Sequence, residues 1–234
     1  MRMDLRWGGG DPNRVRALAQ ELVGLQPDII VTSGGTATVP VQRETRTIPI
    51  VFATLADPVA FGIVPRLNQP GGNITGFGGS EATLGGKWLE LLSEIAPGLK
   101  RAALMFSRDT ASSSAYIPSF ETAARSLKVE SIIAPVHSDA EIETAITALG
   151  REPGSGLVVM PDLFILVHRT PIILAAARNN VPAVYALSYL VRDGGLLSYG
   201  VDLTGTWGRG ATYVDRLLLE QPAICPFSFQ QNSR

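Results

Sequence analysis

Small polar and acidic residues stand directly after two of the apolar runs that predict buried strands. Ser33-Gly34-Gly35-Thr36 follows the run 28–33, and Asp162 follows the run 156–160. Because open α/β sheets bind ligands outside the carboxyl ends of their strands, both positions are candidate ligand contacts. The N–H groups of a glycine turn at a helix start suit a carboxylate, and a buried Asp162 suits an ammonium group. An ordinary tight turn and a helix cap are the structural alternatives.

Acidic and aromatic residues elsewhere in the chain add further candidates. Asp57 follows a predicted strand at 50–54, where a helix cap is the slightly favoured alternative. Tyr185, Tyr189 and Tyr199 crowd one region of the sequence. A tyrosine joins a flat apolar face to a hydroxyl group, which suits a small ligand, although packing in the core is the commoner role of such aromatics.

The residues that most often carry metal or nucleophilic chemistry are scarce. Cys225 is the only cysteine, so the sequence excludes an internal disulfide and a cysteine-based zinc site. The two histidines, His137 and His168, are far apart, and no pattern brings either of them to a nucleophile. We therefore expect a protein that is not an enzyme and that uses no metal or other cofactor.

Two glycine clusters resemble nucleotide-binding motifs but fail on their spacing. In Gly85-Gly86-Lys87-Trp88, a phosphate loop would require glycine at position 81 and serine or threonine in place of Trp88. In Gly76-Phe77-Gly78, the dinucleotide fingerprint would also require glycine at position 81. That position is occupied by Glu81. Neither cluster therefore predicts a nucleotide site.

Composition and charge indicate a globular chain that is not built for polyanions. The 234 residues are 45% hydrophobic and 18% charged, with a net charge of -1. Scattered basic residues in a nearly neutral chain do not predict binding to nucleic acid or to an anionic membrane. No apolar run approaches the roughly 18 residues of a membrane span. The start, Met1-Arg2-Met3-Asp4, does not follow the pattern of a signal peptide.

Short apolar runs alternate with helical periodicities, which predicts an α/β fold with parallel sheets. Helix starts are indicated by Pro12 after a capping Asp11 and by the capping box Ser138-x-x-Glu141. The predicted strands are one ending near Trp7 and runs at 28–33, 50–54, 74–77, 101–106, 129–134, 156–160, 182–185 and 196–201. The predicted helices begin at 12 and 36, cover 84–95, 116–127 and 164–179, follow Ser138, and end with one that carries Trp207, Ala211, Val214 and Leu218 on one face.

Two such α/β stretches, each of about 100 residues, predict two lobes. Irregular glycine-rich segments near 70–80 and 194–205 favour more than one chain crossing between them. Residues 1–75 together with 201–234 are expected to form the first lobe, and residues 76–200 the second. A cleft between two lobes is the expected ligand site.

An ordered string of motifs resembles the substrate-binding proteins of ABC importers, in the branch related to tryptophan-binding lipoproteins. The resemblance covers nearly everything from about Leu5 to Glu220. The motifs are Pro27-Asp28-Ile29-Ile30, Ser33-Gly34-Gly35-Thr36, Thr47-Ile48-Pro49-Ile50-Val51-Phe52, Asp57-Pro58-Val59, Pro70-Gly71-Gly72-Asn73-Ile74-Thr75-Gly76, Lys87-Trp88-Leu89-Glu90-Leu91-Leu92 and Gly194-Gly195-Leu196-Leu197-Ser198-Tyr199-Gly200-Val201-Asp202.

The resemblance implies a type I periplasmic binding fold, with two Rossmann-like lobes joined by crossing strands. It also implies a periplasmic or lipid-anchored extracytoplasmic location and an ABC permease as the membrane partner. Relative to the family pattern the chain looks truncated at both ends, because the export signal and first strand are missing and the tail around Cys225 departs from the pattern.

The resemblance further implies that the turn Ser33 to Thr36, Asp57, the loop Ser107 to Ser112 and Asp162 face the cleft. Combined with the candidates above, the expected ligand-binding residues are Ser33, Gly34, Gly35, Thr36, Thr54, Asp57, Phe77, Ser107, Asp109, Ser112, Asp162, Tyr185, Tyr189 and Asp202.

The function we expect is that of a non-catalytic solute receptor for an amino-acid-like or aromatic carboxylate ligand. Ligand binding would stabilise a closed arrangement of the lobes, with hinges near Thr75 and Val201. Two alternatives remain open. The small-molecule effector domain of a transcription regulator shares the same fold, and a small α/β enzyme would need a base and nucleophile pair.

Overall fold

The computed structural model describes residues 2–9, 11–55, 58–59, 62–78, 81–108, 115–200 and 202–219. The chain divides into unit 1, which is Met1–Glu81 with Leu203–Arg234, and unit 2, which is Ala82–Asp202. In chain order, the elements are α1 (Pro12–Gly24), β1 (Ile30–Ser33), α2 (Gly34–Glu44), β2 (Ile50–Leu55), β3 (Ile74–Gly78), α3 (Leu84–Ile95), β4 (Arg101–Ser107), α4 (Ile117–Leu127), β5 (Glu130–Val136), α5 (Asp139–Gly150), β6 (Ser155–Val159), α6 (Leu163–Val167), α7 (Arg169–Arg178), β7 (Ala183–Tyr185), α8 (Ser188–Arg192), β8 (Leu197–Ser198) and α9 (Leu203–Leu219).

Each unit contains one parallel sheet. Within the described ranges, the strand order is β1-β2-β3 in unit 1 and β5-β4-β6-β7-β8 in unit 2. All paired neighbours run parallel. The predicted α/β class with parallel sheets is therefore confirmed.

The core of unit 1 packs helices α1 and α2 against one face of the sheet. Its buried residues include Ala19 from α1, Val41 from α2 and Phe52 from β2. The central strand β2 is buried on both faces, because α9 packs against it as well. The edge strand β1 alternates buried and exposed residues, and Val31 is 43% exposed.

The core of unit 2 is built on the continuous apolar strands β4 and β6, which are buried along almost their whole length. Trp88 of α3 is fully buried, and its ring centroid lies 5.1 Å from that of Tyr116. Its indole Nε1 donates a hydrogen bond of 2.6 Å to the carbonyl oxygen of Tyr199. This bond ties α3 to the segment that follows β8.

Both helix starts expected from capping residues are confirmed. The Asp11 carboxylate accepts from the backbone N–H groups of Asn13, at 2.9 Å, and Arg14. Ser138 Oγ accepts from the Glu141 backbone N–H at 3.3 Å. The return bond of the capping box goes one residue further back than expected, since Glu141 Oε2 accepts from the backbone N–H of His137.

The prediction of one helix over 164–179 is wrong, because two helices, α6 and α7, occupy this stretch. His168 separates them with non-helical dihedral angles of -94° and 18°. Pro171 explains the break, since it has no N–H to donate to the carbonyl of Val167 and its ring crowds that carbonyl. The short helix α8, which no sequence pattern predicted, follows β7.

One predicted strand is also wrong, and another is shorter than predicted. Residues 2–8 form no strand, and Met3, Leu5 and Trp7 are all exposed. Their alternating pattern lacks a neighbouring strand in the described residues, and a strand requires a partner for its N–H and C=O groups. Over the described residues 196–200, the strand predicted at 196–201 is confined to β8, because its partner β7 ends at Tyr185. The remaining elements differ from prediction only at their ends.

The residues predicted to share one face of the last helix lie on α9, but they are not its buried residues. Trp207 and Leu218 on α9 are 43% and 39% exposed, whereas Thr206 is fully buried. The helix packs through Tyr213, whose ring lies edge-on to Phe77 of β3, with 5.3 Å between the centroids. The apolar periodicity of α9 does not predict its buried face, because α9 contacts an aromatic surface through polar and aromatic side chains of its own.

Among the described residues, none of the helices combines the length and the apolar character of a membrane span.

The glycine pair Gly85-Gly86 serves packing between α3 and α4. A Cβ atom on Gly85 would lie 2.3 Å from the carbonyl oxygen of Tyr116, and one on Gly86 would lie 3.1 Å from that of Ser119. At Gly85 only a residue without a side chain permits this approach, whereas at Gly86 a side chain would require the Ser119 carbonyl to shift by a few tenths of an ångström. The structural role agrees with the rejection of a phosphate loop.

We predict that Gly85→Ala lowers the free energy of unfolding by about 1 to 3 kcal/mol, because the added methyl group overlaps a backbone carbonyl. Gly208→Ala is the matched control, since a Cβ atom there meets nothing within 4 Å and the residue is helical. It should be neutral or stabilising by up to about 1 kcal/mol. Urea unfolding of both variants is the measurement. Equal effects of the two substitutions would contradict the packing role.

Candidate functional site

The turn between β1 and α2 in unit 1 is held by buried threonines. Gly34 starts α2 with φ of +70°, a conformation that favours glycine. Thr38 Oγ1 donates to the Gly34 carbonyl oxygen at 2.7 Å and lies 2.8 Å from Thr32 Oγ1. Because the single hydroxyl hydrogen of Thr38 is used on Gly34, Thr32 must donate to Thr38. This chain of bonds fixes the turn from the inside.

Ser33 sits at the N-cap position of α2, yet its side chain makes no capping hydrogen bond. Its Oγ lies 3.0 Å from Thr54 Oγ1 instead. Ser138 and Asp162, by contrast, cap α5 and α6 through their side chains. The first-turn N–H groups of α2 are thus left without a side-chain cap, at the positive end of the helix dipole. Such an arrangement can hold a carboxylate.

Phe77, at the carboxyl end of β3, has its ring packed inside unit 1. The Arg209 guanidinium carbon lies 5.8 Å from the Phe77 ring centroid, and Tyr213 meets the same ring. Sequence reasoning missed Arg209 and Tyr213. The available signal was their spacing of four residues, which puts both on one helix face with Thr206. This face brings a cation to the carboxyl end of the unit 1 sheet.

Asp162 is a buried helix cap in unit 2. Its Oδ1 accepts from the Ile165 backbone N–H at 2.7 Å, and its Oδ2 accepts from the Ser107 backbone N–H at 2.8 Å. The second bond joins the start of α6 to the end of β4. Burial raises the pKa of Asp162 above its ordinary value, although the backbone hydrogen bonds oppose that shift.

The tyrosines expected at the site differ in their surroundings. Tyr185 is 1% exposed in the core of unit 2, and burial raises its pKa to about 12. Tyr189 on α8 is half-buried, with the Arg192 guanidinium carbon 5.6 Å from its ring centroid. Tyr199 is half-buried beside Trp88. The structure therefore places Tyr185 as a core residue.

Some of the remaining candidate ligand-binding residues lie in the part of the chain that the structure describes, and others lie outside it. Thr36 and Asp202 are exposed, and Ser107 is buried at the end of β4. Asp57, Asp109 and Ser112 lie outside the described residues. In unit 1 the structure brings Ser33 and Thr54 together, and in unit 2 it brings Ser107 and Asp162 together. The described residues contain no group of three or more His, Cys, Asp or Glu side chains placed to hold a metal ion.

Parallel sheets with polar residues gathered at the carboxyl ends of their strands are typical of α/β proteins that bind ligands. Residues 1–233 match the family model of the ABC transporter substrate binding proteins, and the chain belongs to that family. This membership confirms the resemblance, and it favours a transporter protein over a regulator and a non-catalytic protein over an enzyme.

The chain is also similar to individual proteins. It is 24% identical over 203 residues to a tyrosine-binding protein of Clostridioides difficile, covering 86% of this chain and 58% of that protein. The chain therefore spans less than two thirds of the length of this curated relative.

Two solved structures share the fold. A conserved domain protein from Vibrio cholerae has a TM-score of 0.86 and 24% identity, covering 98% of this chain and 77% of that one. The ABC domain in complex with L-Trp from Streptococcus pneumonia has a TM-score of 0.81 and 22% identity, covering 94% and 74%. The predicted periplasmic binding fold is confirmed.

Proposed function

We propose that this chain is the solute-binding component of an ABC importer and that it binds a small amino-acid-like or aromatic carboxylate. The observation that carries the proposal is the uncapped start of α2, where Ser33 directs its hydroxyl to Thr54. Serine is among the best N-cap residues. Because Ser33 does not cap α2, the backbone N–H groups of the first turn stay available to an anion. A ligand carboxylate at this position would accept those N–H groups.

The similar proteins support an aromatic amino acid as the ligand class. One is described as tyrosine-binding, and another was solved in complex with L-Trp. An amino acid also carries an ammonium group, for which Asp162 stays the predicted partner. Each oxygen of an ionised carboxylate can accept a second hydrogen bond, so the capping role of Asp162 is compatible with that contact.

The proposal includes a membrane partner and a location. A solute-binding component delivers its ligand to an ABC permease, and it does so outside the cytoplasm, either in the periplasm or anchored by lipid. Family membership supports both statements. The near-neutral charge of the chain agrees with a small-molecule ligand rather than a nucleic acid.

A thermal-shift screen of the natural amino acids, aromatic acids and the corresponding amides tests the proposal. A ligand at one hundred times its dissociation constant stabilises the folded chain by about 2.7 kcal/mol, which raises the melting temperature by roughly 5 to 10 °C. We expect a shift with L-tyrosine or L-tryptophan and a much smaller one with the matching amide. A cooperative melting transition that no compound shifts would contradict the proposal.

A further inference from the structure

Two short helices of unit 2 carry predicted ligand contacts. Helix α6 follows β6 and begins directly after its cap Asp162, and helix α8 follows β7 and contains Tyr189. Both therefore lie beyond the carboxyl ends of strands, where α/β proteins bind ligands. Each helix has only five residues. Helices of this length do not persist in water on their own, so contacts with neighbouring elements must hold both of them in place.

The junction between α6 and α7 supplies such contacts through two consecutive residues, His168 and Arg169. The His168 Nδ1 atom lies 2.5 Å from Asp139 Oδ1 at the start of α5, and the His168 ring stacks on Phe164 of α6 with 4.1 Å between the centroids. Arg169 Nη1 donates a hydrogen bond of 2.9 Å to the Leu166 carbonyl oxygen. The end of α6 is therefore tied to the starts of both α5 and α7.

Arg169 also reaches α8. Its Nε donates to Asp193 Oδ2 at 2.5 Å, and Asp193 is the C-cap residue of α8. The backbone N–H of Asp193 in turn donates to the Tyr189 carbonyl oxygen at 3.2 Å. One guanidinium group thus bonds to both short helices, while the neighbouring His168 joins α6 to α5.

The ion pairs of this junction lie at the surface of unit 2. The side chains of Arg169 and Asp193 are 38% and 40% exposed, and Asp139 is exposed beside the half-buried His168. Ion pairs at such positions add little to the stability of a fold. Their removal should therefore leave unit 2 folded, and the placement of α6 and α8 is the property that depends on them.

We propose that His168 and Arg169 are positioning residues, which hold α6 and α8 in place for the ligand. This inference rests on the proposed function, in which Asp162 accepts the ammonium group. Such a charge-assisted bond depends on the direction of the carboxylate, and Asp162 keeps its direction partly through the N–H group of Ile165 on α6. A shift at the end of this short helix would move that N–H group and turn the carboxylate.

Calorimetric titrations of the full chain with L-tyrosine and L-tryptophan, and with their analogues that lack the amino group, test this role. The double variant His168→Ala/Arg169→Ala should bind the amino acids about threefold to tenfold more weakly, since two ion pairs are lost. The loss should be smaller for the analogues, because they make no ammonium contact with Asp162. His168→Asn/Arg169→Lys keeps a donor at both positions and should restore most of the affinity.

The matched control is His137→Ala/Arg178→Ala, which also removes one histidine pair and one arginine pair. His137 Nδ1 lies 2.7 Å from Glu141 Oε2 at the start of α5, and Arg178 Nη2 lies 2.6 Å from Glu143 Oε2, joining α7 to α5. The control should bind all four compounds as the wild-type chain does. Arg169→Gln alone serves if the alanine variant does not melt cooperatively, and it should weaken amino-acid binding by about threefold.

The outcomes separate this inference from the proposed function. Wild-type binding with unchanged affinity in the variants of His168 and Arg169 would overturn the inference alone. An equal loss of affinity in the control would also overturn it, because ion pairs would then act without regard to their position. So would an equal loss for the amino acids and their analogues. Absence of amino-acid binding by the wild-type chain would overturn the proposed function and this inference with it.

Discussion

Replacing Trp88 with alanine is expected to lower the free energy of unfolding by about 3 to 5 kcal/mol. The side chain is fully buried in unit 2, packs against Tyr116 and donates to the Tyr199 carbonyl oxygen at 2.6 Å. Alanine would leave a cavity and an unpaired carbonyl. Domains of this kind have a total stability of only about 5 to 15 kcal/mol. The substitution of Trp88 by alanine would therefore remove a large share of the total stability.

Two further substitutions separate the components of this effect. Trp88→Phe keeps most of the apolar volume and removes the N–H donor, so it should cost about 1 to 3 kcal/mol. Trp207→Ala is the control, because Trp207 is 43% exposed on α9, and its effect should stay within about 0.5 kcal/mol. Urea unfolding followed by circular dichroism measures all three. A Trp88→Ala value close to that of Trp207→Ala would contradict the account of the unit 2 core.

Replacing Asp162 with asparagine is expected to cost about 1.5 to 3 kcal/mol. Asparagine has one carbonyl oxygen, so it can accept from Ile165 or from Ser107 but turns its NH₂ group toward the other buried N–H. Asp11→Asn is the matched control, since Asp11 caps α1 at an exposed position where asparagine caps equally well. Equal losses of stability in the two variants would contradict the bridging role of Asp162.

The pH dependence of the Asp162→Asn effect follows from the raised pKa of Asp162. The native state binds the proton of Asp162 more tightly than the unfolded state does, so this group adds stability as the pH falls. The gain begins near the raised native pKa and is complete below the unfolded value, close to 3.8. The variant lacks this gain. The stability difference between wild type and Asp162→Asn should therefore widen on acidification, and a difference that narrows would contradict the direction of the shift.

Local signals in the sequence predicted those features of the fold that depend on local contacts. Asp11 and Ser138 cap helices as predicted, because a cap involves residues only two or three positions apart. The break at His168 could have been predicted from Pro171, although the apolar periodicity alone predicts a continuous helix there. The buried face of α9 could not be predicted from the sequence, since it depends on contact with Phe77, which is distant in sequence.

The candidate site shows the same division. The turn at Ser33 and the acidic residue at Asp162 were predicted from their positions after apolar strands. The bond from the Ser107 N–H to Asp162 spans 55 residues, and no local pattern encodes it. The left-handed backbone conformation of Thr54 could not be predicted either, because it arises from the register of β2 against β3.

The most direct test of carboxylate binding at the start of α2 places a competing carboxylate there. Gly35→Asp is sterically possible, because a Cβ atom on Gly35 makes only an ordinary contact with Leu55 at 3.4 Å. Asn13→Asp puts the same charge at the equivalent position of α1, at an exposed site. Negative charge favours both helix starts, so neither variant should be less stable than the wild type.

Calorimetric titration of these two variants and the wild-type chain with L-tyrosine and L-tryptophan is the deciding measurement. We expect Asn13→Asp to bind as the wild type does and Gly35→Asp to bind at least about tenfold more weakly, through loss of charge-assisted bonds and through repulsion. Equal affinity in Gly35→Asp and Asn13→Asp would contradict the claim that the ligand carboxylate occupies the start of α2.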